Sequence, residues 1–538
     1  MNNHGKTKKI LQIPADIWNE YQKGIDYNCS VDLYNRVKLN EHFYSGNQWE
    51  GLNAPDLEKP VLNFLKRAIS YCIAMLVSDD IAVNINSFRR NARTDILDAV
   101  LGAEVERVIE IASLKALNRD CLRNAAVDGD CCIYLRFDPD ATSARGKNGE
   151  ITAEIIENTN IIFANPYLYD LQRQSYIIIV KRVRIEDIRE RARRMGVADW
   201  ELIIADDAIE QEDAYGNNGM VTVLLKLWRD TESGTVHFAE STRNVLLAAD
   251  IDTGYKRYPL AYMSWEQMKS SYHGQPALSA GLIENQIYVN TLWSLFMIHQ
   301  KKMAFPKMFY DVTKIDHWTN KVGQAVGVIG NPNEAVVSSF RTPDFSVQAM
   351  ELVEKTIAYS KEFIGATDAA LGNVRPDNAS AIIAVQQAAA APLEIQRQGY
   401  YKFTEDIVRC IVDIIRCDYG IREVSFTGGR GGGVLGIDFS AIGYDSLDIN
   451  VDIGASSYWS ELMQVRTADN LFTKGVITDA IMYLESIPDK HIKNKQGMIE
   501  KLKEMRAAED NEKTVTGNGM TVQPKLTAKQ AVQQLLVR

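Results

Sequence analysis

The sequence lacks the features that most often carry enzyme chemistry. No G-x-x-x-x-G-K-[ST] occurs: Gly5-Lys6 stands too near the start and Asn148 follows Gly146-Lys147, so no ATPase phosphate loop is recognisable. The seven histidines share no H-x-x-x-H or H-E-x-x-H spacing, and no G-x-S-x-G elbow appears. Cysteine is sparse and odd in number (Cys29, Cys72, Cys121, Cys131, Cys132, Cys410 and Cys417), with no C-x-x-C, which excludes a dense disulfide scaffold and favours reduced, mostly buried thiols. An excess of positive charge is also missing: 60 basic against 70 acidic side chains leave a formal charge of −10. Tight, general binding to phosphate backbones needs clustered Lys and Arg, so the balance argues against it, though not against a protein that loosely surrounds DNA. Long apolar runs are absent as well. Asn285 to Gln300 and Ala379 to Leu393 are free of charge, but both fall short of the ~18 apolar residues of a membrane span and hold Asn285, Gln286, Asn290, Gln386, Gln387 and Pro392. The start, MNNHGKTKKILQIPADIW, has no apolar core of a signal peptide.

What remains is ordinary globular composition, 46% hydrophobic and 24% charged, in 538 residues, enough for three or four domain-sized units. Ile96, Leu97, Val100, Leu101, Val105, Val108, Ile109, Ala112 and Leu117 recur at helical spacing, predicting one amphipathic helix or a pair over 95–124. After Asp128-Gly129-Asp130 the pattern changes to strand formers: CCIYLRFD (131–138), EIIEN (154–158) and SYIIIVKRV (175–183), with a turn-rich loop at 139–150. Ile185 to Met195 returns to helical spacing. Seven bases between Lys181 and Arg194 face seven acids between Asp199 and Asp213, the signature of a solvated, charge-balanced surface. A hairpin follows at 220–230 and 235–241, and another strand at 257–265 with Pro259 near its start or on an edge.

From Pro276 to Met303 nothing but Gly281 interrupts a helix, and Phe305-Pro306 ends it, which predicts a rod of about 42 Å at 1.5 Å per residue. Leu282, Val289, Phe296 and Met303 fall seven apart, and Ile283, Ile287, Leu292, Trp293, Leu295, Met297 and Ile298 widen the apolar face until most sides need cover. A turn-rich unit with three short strands (KMFYDV, AVGVIGN, AVVSSF) spans 307–341, then a second helix from Val347 to Ile364, capped by Asp344 or Ser346 and closed by Gly365. After a loop at 366–378, a helix capped by Asn378 runs from Ala379 to about Cys417 and is kinked by Pro392. Strands at 423–427 and 446–453 flank a glycine run (428–436). Helices then fill 457–510, one ending at Lys474-Gly475 and the next starting at Thr478 or Asp479, and the tail beyond is expected to be flexible.

Candidate sites are few. Asp128 and Asp130, with Asp138 and Asp140, could hold Mg²⁺ as in a nuclease, although strand-end and turn carboxylates are commoner. The glycine run could cradle phosphate, but without a following Lys-Ser/Thr it reads better as a hairpin loop. Lys301, Lys302 and Lys307 cluster where the first long helix ends; they either brush phosphates or snorkel at a helix C-terminus.

The order of elements and several local stretches resemble the portal proteins of tailed bacteriophages. FYSGNQW (43–49), PVLNFLKRAISYCIAML (60–76) and IAVNI (81–85) resemble the N-terminal pattern. YPLAYMSWEQMKSSYHGQPAL (258–278) resembles the approach to the stem, and LFTKGVITDAIMYLESI (471–487) a pattern near the C-terminus. The resemblance covers nearly the whole chain and rests on order and spacing rather than on one motif. It implies an α+β, mainly helical fold: wing at 1–276 and 400–455, stem helices at 277–303 and 346–365, clip at 304–345, tunnel loop and kinked tunnel helix within 366–399, crown at 456–510 and a flexible tail at 511–538. It implies a non-enzymatic ring of about twelve subunits at one capsid vertex, built head to tail. Double-stranded DNA would pass through it, with Lys301, Lys302, Lys307, Arg375 and Asn378 as sequence-independent contacts. The implied partners are the terminase large subunit, capsid and scaffolding proteins and later a head-tail adaptor, in a virion assembled in the host cytoplasm, with no cofactor, metal or membrane. Two other readings stand beside it: a metal-dependent nuclease using Asp128 and Asp130, and a membrane-associated helical protein built on 277–303.

Overall fold

The computed structural model describes residues 13–55, 57–77, 82–87, 92–141, 149–206, 219–279, 281–317, 325–334, 337–339, 344, 346–363, 391–426, 433–441, 447–452, 458–477, 479–487, 495, 497–499 and 501–503. It is an α+β chain of two compact units, one of residues 1–76 and 83–451, the other of 77–82 and 452–538.

The larger unit opens with α1 (Pro14–Ser30), α2 (Leu33–Ser45) and α3 (Phe64–Val77), followed by strand β1 (Ala82–Ser87). Pro14 suits the first helical turn, where its missing N–H costs nothing. The expected helix over 95–124 is a pair, α4 (Ala92–Ile111) and α5 (Leu114–Asp128), divided at Ser113, whose φ is +52°.

Two antiparallel sheets follow. β2 (Asp130–Asp138) lies between β3 (Glu150–Ile156) and β9 (Leu260–Ser264). Pro259, with no N–H to donate, stands just before β9 and accepts from Leu135 N at 2.9 Å. Between them in sequence, β4 (Ile161–Phe163), β5 (Tyr176–Arg184), β6 (Met220–Arg229), β7 (Val236–Ser241) and β8 (Leu246–Asp252) form a five-stranded meander. Its side chains alternate between two cores, as the period of two requires. Ile178 and Leu224 pack with Ile17 of α1 on one face. Val221 and Val223 pack on the other with Ile188 and Ala192 of α6 (Ile185–Arg194).

Next come α7 (Leu282–Ala304), β10 (Met308–Tyr310), β11 (Val337–Ser339), α8 (Val347–Phe363) and α9 (Glu394–Asp418). The first long helix is shorter than its sequence suggests. Gly281 adopts φ +85°, so the helix begins at Leu282 and measures about 34 Å; Ala277–Ser279 form a 3-10 turn instead. β10 pairs with β11, but AVGVIGN forms no strand: Gly330 sits at φ +97° and Ile329 N donates to Lys314 O, which removes the run from a ladder. Pro392 lies in a 3-10 turn, Ala391–Leu393, directly before α9; the part of that helix expected at 379–390 lies outside the described residues.

Helix α9 packs on β9 and β2 and carries the densest core of the unit: Tyr400, Phe403, Ile407, Cys410, Ile411 and Ile414 are buried at helical spacing. Phe403 and the three isoleucines each contribute roughly 1.5–3 kcal/mol by leaving water. Its buried Asp413 accepts from Lys256 N (2.7 Å), Arg257 N (3.1 Å) and the Arg416 guanidinium (2.9 Å), fastening the β8–β9 connection to the helix. β12 (Ile421–Phe426) and β13 (Gly433–Asp438) make a hairpin around the glycine run, and β14 (Leu447–Asp452) pairs with β1.

In the smaller unit, α10 (Tyr458–Thr473) and α11 (Ala480–Glu485) pack through the stacked rings of Phe472 and Tyr483, 4.4 Å apart. Gly475 at φ +73° ends the first, and the Asp479 carboxylate caps the second by accepting from Ile481 N at 2.9 Å. All seven cysteines are free thiols, five of them buried.

Candidate functional site

Helices α7 and α8 are antiparallel, since Asn285 at the start of one donates to Ser360 Oγ near the end of the other at 3.0 Å, and the β10–β11 ladder joins their far ends. The pair and its small β unit form one long hairpin. The buried positions of α7 are mixed, with Leu282, Ile283 and Val289 beside three polar residues. Gln286, Asn290 and Ser294, four residues apart on α7, are all buried. Gln286 Nε2 donates to Leu62 O (2.9 Å) and to Asn290 Oδ1 (2.9 Å). Asn290 Nδ2 donates to Gln48 Oε1 (2.6 Å), and Ser294 Oγ to Glu58 O (2.5 Å). The stretch 48–62 is thus tied to the helix by hydrogen bonds rather than by grease. Each bond is worth about 1 kcal/mol net, and losing one partner would strand a buried polar group.

The exposed positions are mixed, with large apolar side chains standing among Glu284, Thr291, Glu351, Glu354 and Lys355. On α7, Ile287, Tyr288 and Leu295 are 48, 43 and 47% exposed. On α8 only Val353 and Ser360 are buried, while Leu352, Tyr359 and Phe363 are 46, 66 and 68% exposed along one stripe. Phe305, Phe309 and Val312 continue the exposed apolar surface beyond the end of α7. Large apolar side chains left exposed in this number make the hairpin a candidate docking surface.

Lys301 and Lys302 stand in the last turn of α7 and Lys307 follows the end of the helix, and the three differ. Lys301 is ion-paired with Glu58 at the surface, which partly offsets its charge. Lys302 and Lys307 are exposed and make no ion pair among the described residues. Lys301 and Lys302 occupy the last turn, where the helix dipole favours positive charge. Arg375 and Asn378 lie outside the described residues.

Comparison with protein-family models gives no match, and comparison with curated proteins gives none.

The four carboxylates considered for a metal do not converge. β2 runs from Asp130 to Asp138, eight steps of about 3.3 Å, which puts roughly 26 Å between the two pairs. Asp130 is fully engaged: Oδ2 meets His273 Nδ1 at 2.6 Å and the Tyr262 hydroxyl, and Oδ1 accepts from Asn158 Nδ2 at 2.7 Å. Burial, then the adjacent Asp130 carboxylate, pushes the Tyr262 hydroxyl well above its ordinary range, so it stays a proton donor. No group of three or more His, Cys, Asp or Glu suited to a metal occurs among the described residues.

This buried network has its own architectural cause. Gly129 and Gly274, the chain neighbours of Asp130 and His273, pack backbone to backbone. A Cβ on Gly129 would lie 2.4 Å from Gly274 O, and one on Gly274 2.3 Å from Gly129 O. Sequence reading missed it because the partners are 143 residues apart. The polar ladder on α7 did leave a signal, the i, i+4 spacing of Gln286, Asn290 and Ser294.

Proposed function

We propose that the chain is a subunit of a closed ring that conducts double-stranded DNA, of the tailed-phage portal type. The observation that carries this reading is the α7–α8 hairpin, which leaves large apolar side chains exposed on both helices, Ile287, Tyr288 and Leu295 on one and Leu352, Tyr359 and Phe363 on the other. A closed ring built head to tail needs two different surfaces per subunit, and the stripes on α7 and α8 supply two. The resemblance along the chain supports the same assignment. On it, α7 and α8 are the stem, the β10–β11 unit is the clip, residues 1–276 and 400–455 form the wing, 366–399 the tunnel loop and helix, and 456–510 the crown.

The ring would stand at one capsid vertex among capsid and scaffolding proteins. Its clip would dock the terminase large subunit during packaging and a head-tail adaptor afterwards. The sequence carries no phosphate loop of its own, so ATP hydrolysis falls to the terminase and the ring itself is not an enzyme. Lys302 and Lys307, repeated around the axis, would form a belt of positive charge that attracts phosphates without reading bases. Lys301 is partly neutralised by Glu58, and Arg375 and Asn378 remain candidates for the tunnel loop. No membrane role is included: no helix among the described residues is long and apolar enough to cross a membrane.

Mass photometry with negative-stain microscopy tests the proposal. About twelve copies of a 60.5 kDa chain form a particle of about 730 kDa with a central hole. A stable monomer at micromolar concentration, with α7 and α8 uncovered, would overturn it.

A further inference from the structure

We draw no further inference here: the strongest candidate, the cavity of about 510 Å³ between β9, the 169–172 stretch and residues 395–409 of α9, carries nothing, because Arg257 and Arg409 in its walls are already paired with Asp406 and Glu405 and nothing in the structure shows what fills it.

Discussion

Asp128 should make the protein less stable as pH rises through neutrality, and Asp128→Asn should relieve this. The residue ends α5, and its Oδ1 is shielded from water with no hydrogen-bond partner. Burial raises its pKa to about 7, with Glu41, Asp130 and Glu157 adding to the rise and Arg123 opposing it. The unfolded chain would ionise the same group near 3.9. A folded pKa above the unfolded one means the stabilisation is fully present below about pH 4. It is lost as pH rises through about 7, because the unfolded chain ionises freely while the folded chain resists. At 1.36 kcal/mol per pH unit the ceiling is about 4 kcal/mol, and partial solvent access reduces it to about 2–3 kcal/mol. Asparagine keeps the shape and cannot ionise. Urea unfolding followed by tryptophan fluorescence should find the Asn variant ahead by about 2 kcal/mol more at pH 8 than at pH 5. A gap that stays constant across that range, or a variant less stable than the parent at pH 8, would refute the assignment of an uncompensated carboxylate.

Three other substitutions probe different parts of the structure. Gly129→Ala places a Cβ 2.4 Å from a backbone oxygen at φ +109°, so it should cost more than about 3 kcal/mol and yield little soluble protein at 37 °C, measured by soluble fraction and thermal midpoint. Asn290→Leu leaves Gln48 Oε1, Leu62 N and Gln286 Nε2 short of a partner and should lower stability by about 2–4 kcal/mol; a neutral result would mean that the buried ladder contributes no energy. Tyr359→Glu combined with Phe363→Glu alters only exposed positions, so circular dichroism of the subunit should be unchanged while mass photometry finds assembly weakened at least tenfold; full assembly would remove α8 from the proposed contact.

How far the fold is legible in the sequence depends on which force fixes each element. SYIIIVKRV and MVTVLLKLWRD read as strands because each has one face in each of two cores, and the structure pairs them residue by residue from Tyr176↔Trp228 to Arg184↔Met220. The break at Gly475 and the Asp479 cap were readable because both are local backbone chemistry. Gly281 was not, since a glycine inside an apolar helical pattern costs only about 1 kcal/mol and gives no sign that its φ will be positive. AVGVIGN has strand composition, yet the hydrogen bonds that would make it one go to Lys314 and to turns. β4 and β8 escaped notice because three residues, or a run ending AADID, carry too little alternation.

The polarity of α7 bears on the proposed ring. In a monomer, a half-buried helix turns apolar residues inward and polar ones outward. Here Gln286, Asn290 and Ser294 are inside, while Ile287, Tyr288 and Leu295 are outside. Selection for the stability of an isolated subunit does not favour that arrangement, because buried amides add little net energy and exposed aliphatic side chains add none. It becomes economical once the outer side is also an interior. The amides then fix the register of the helix against the 48–62 stretch, as directional bonds do better than grease, and the aliphatic side chains supply the energy of association. Apolar periodicity marks the inward side only over the first half of this helix: in the seven-residue series Leu282 and Val289 are buried, Phe296 is half-buried and Met303 is exposed. Three polar residues four apart mark the same buried side, and the exposed Ile287, Tyr288 and Leu295 are what the proposed ring would cover.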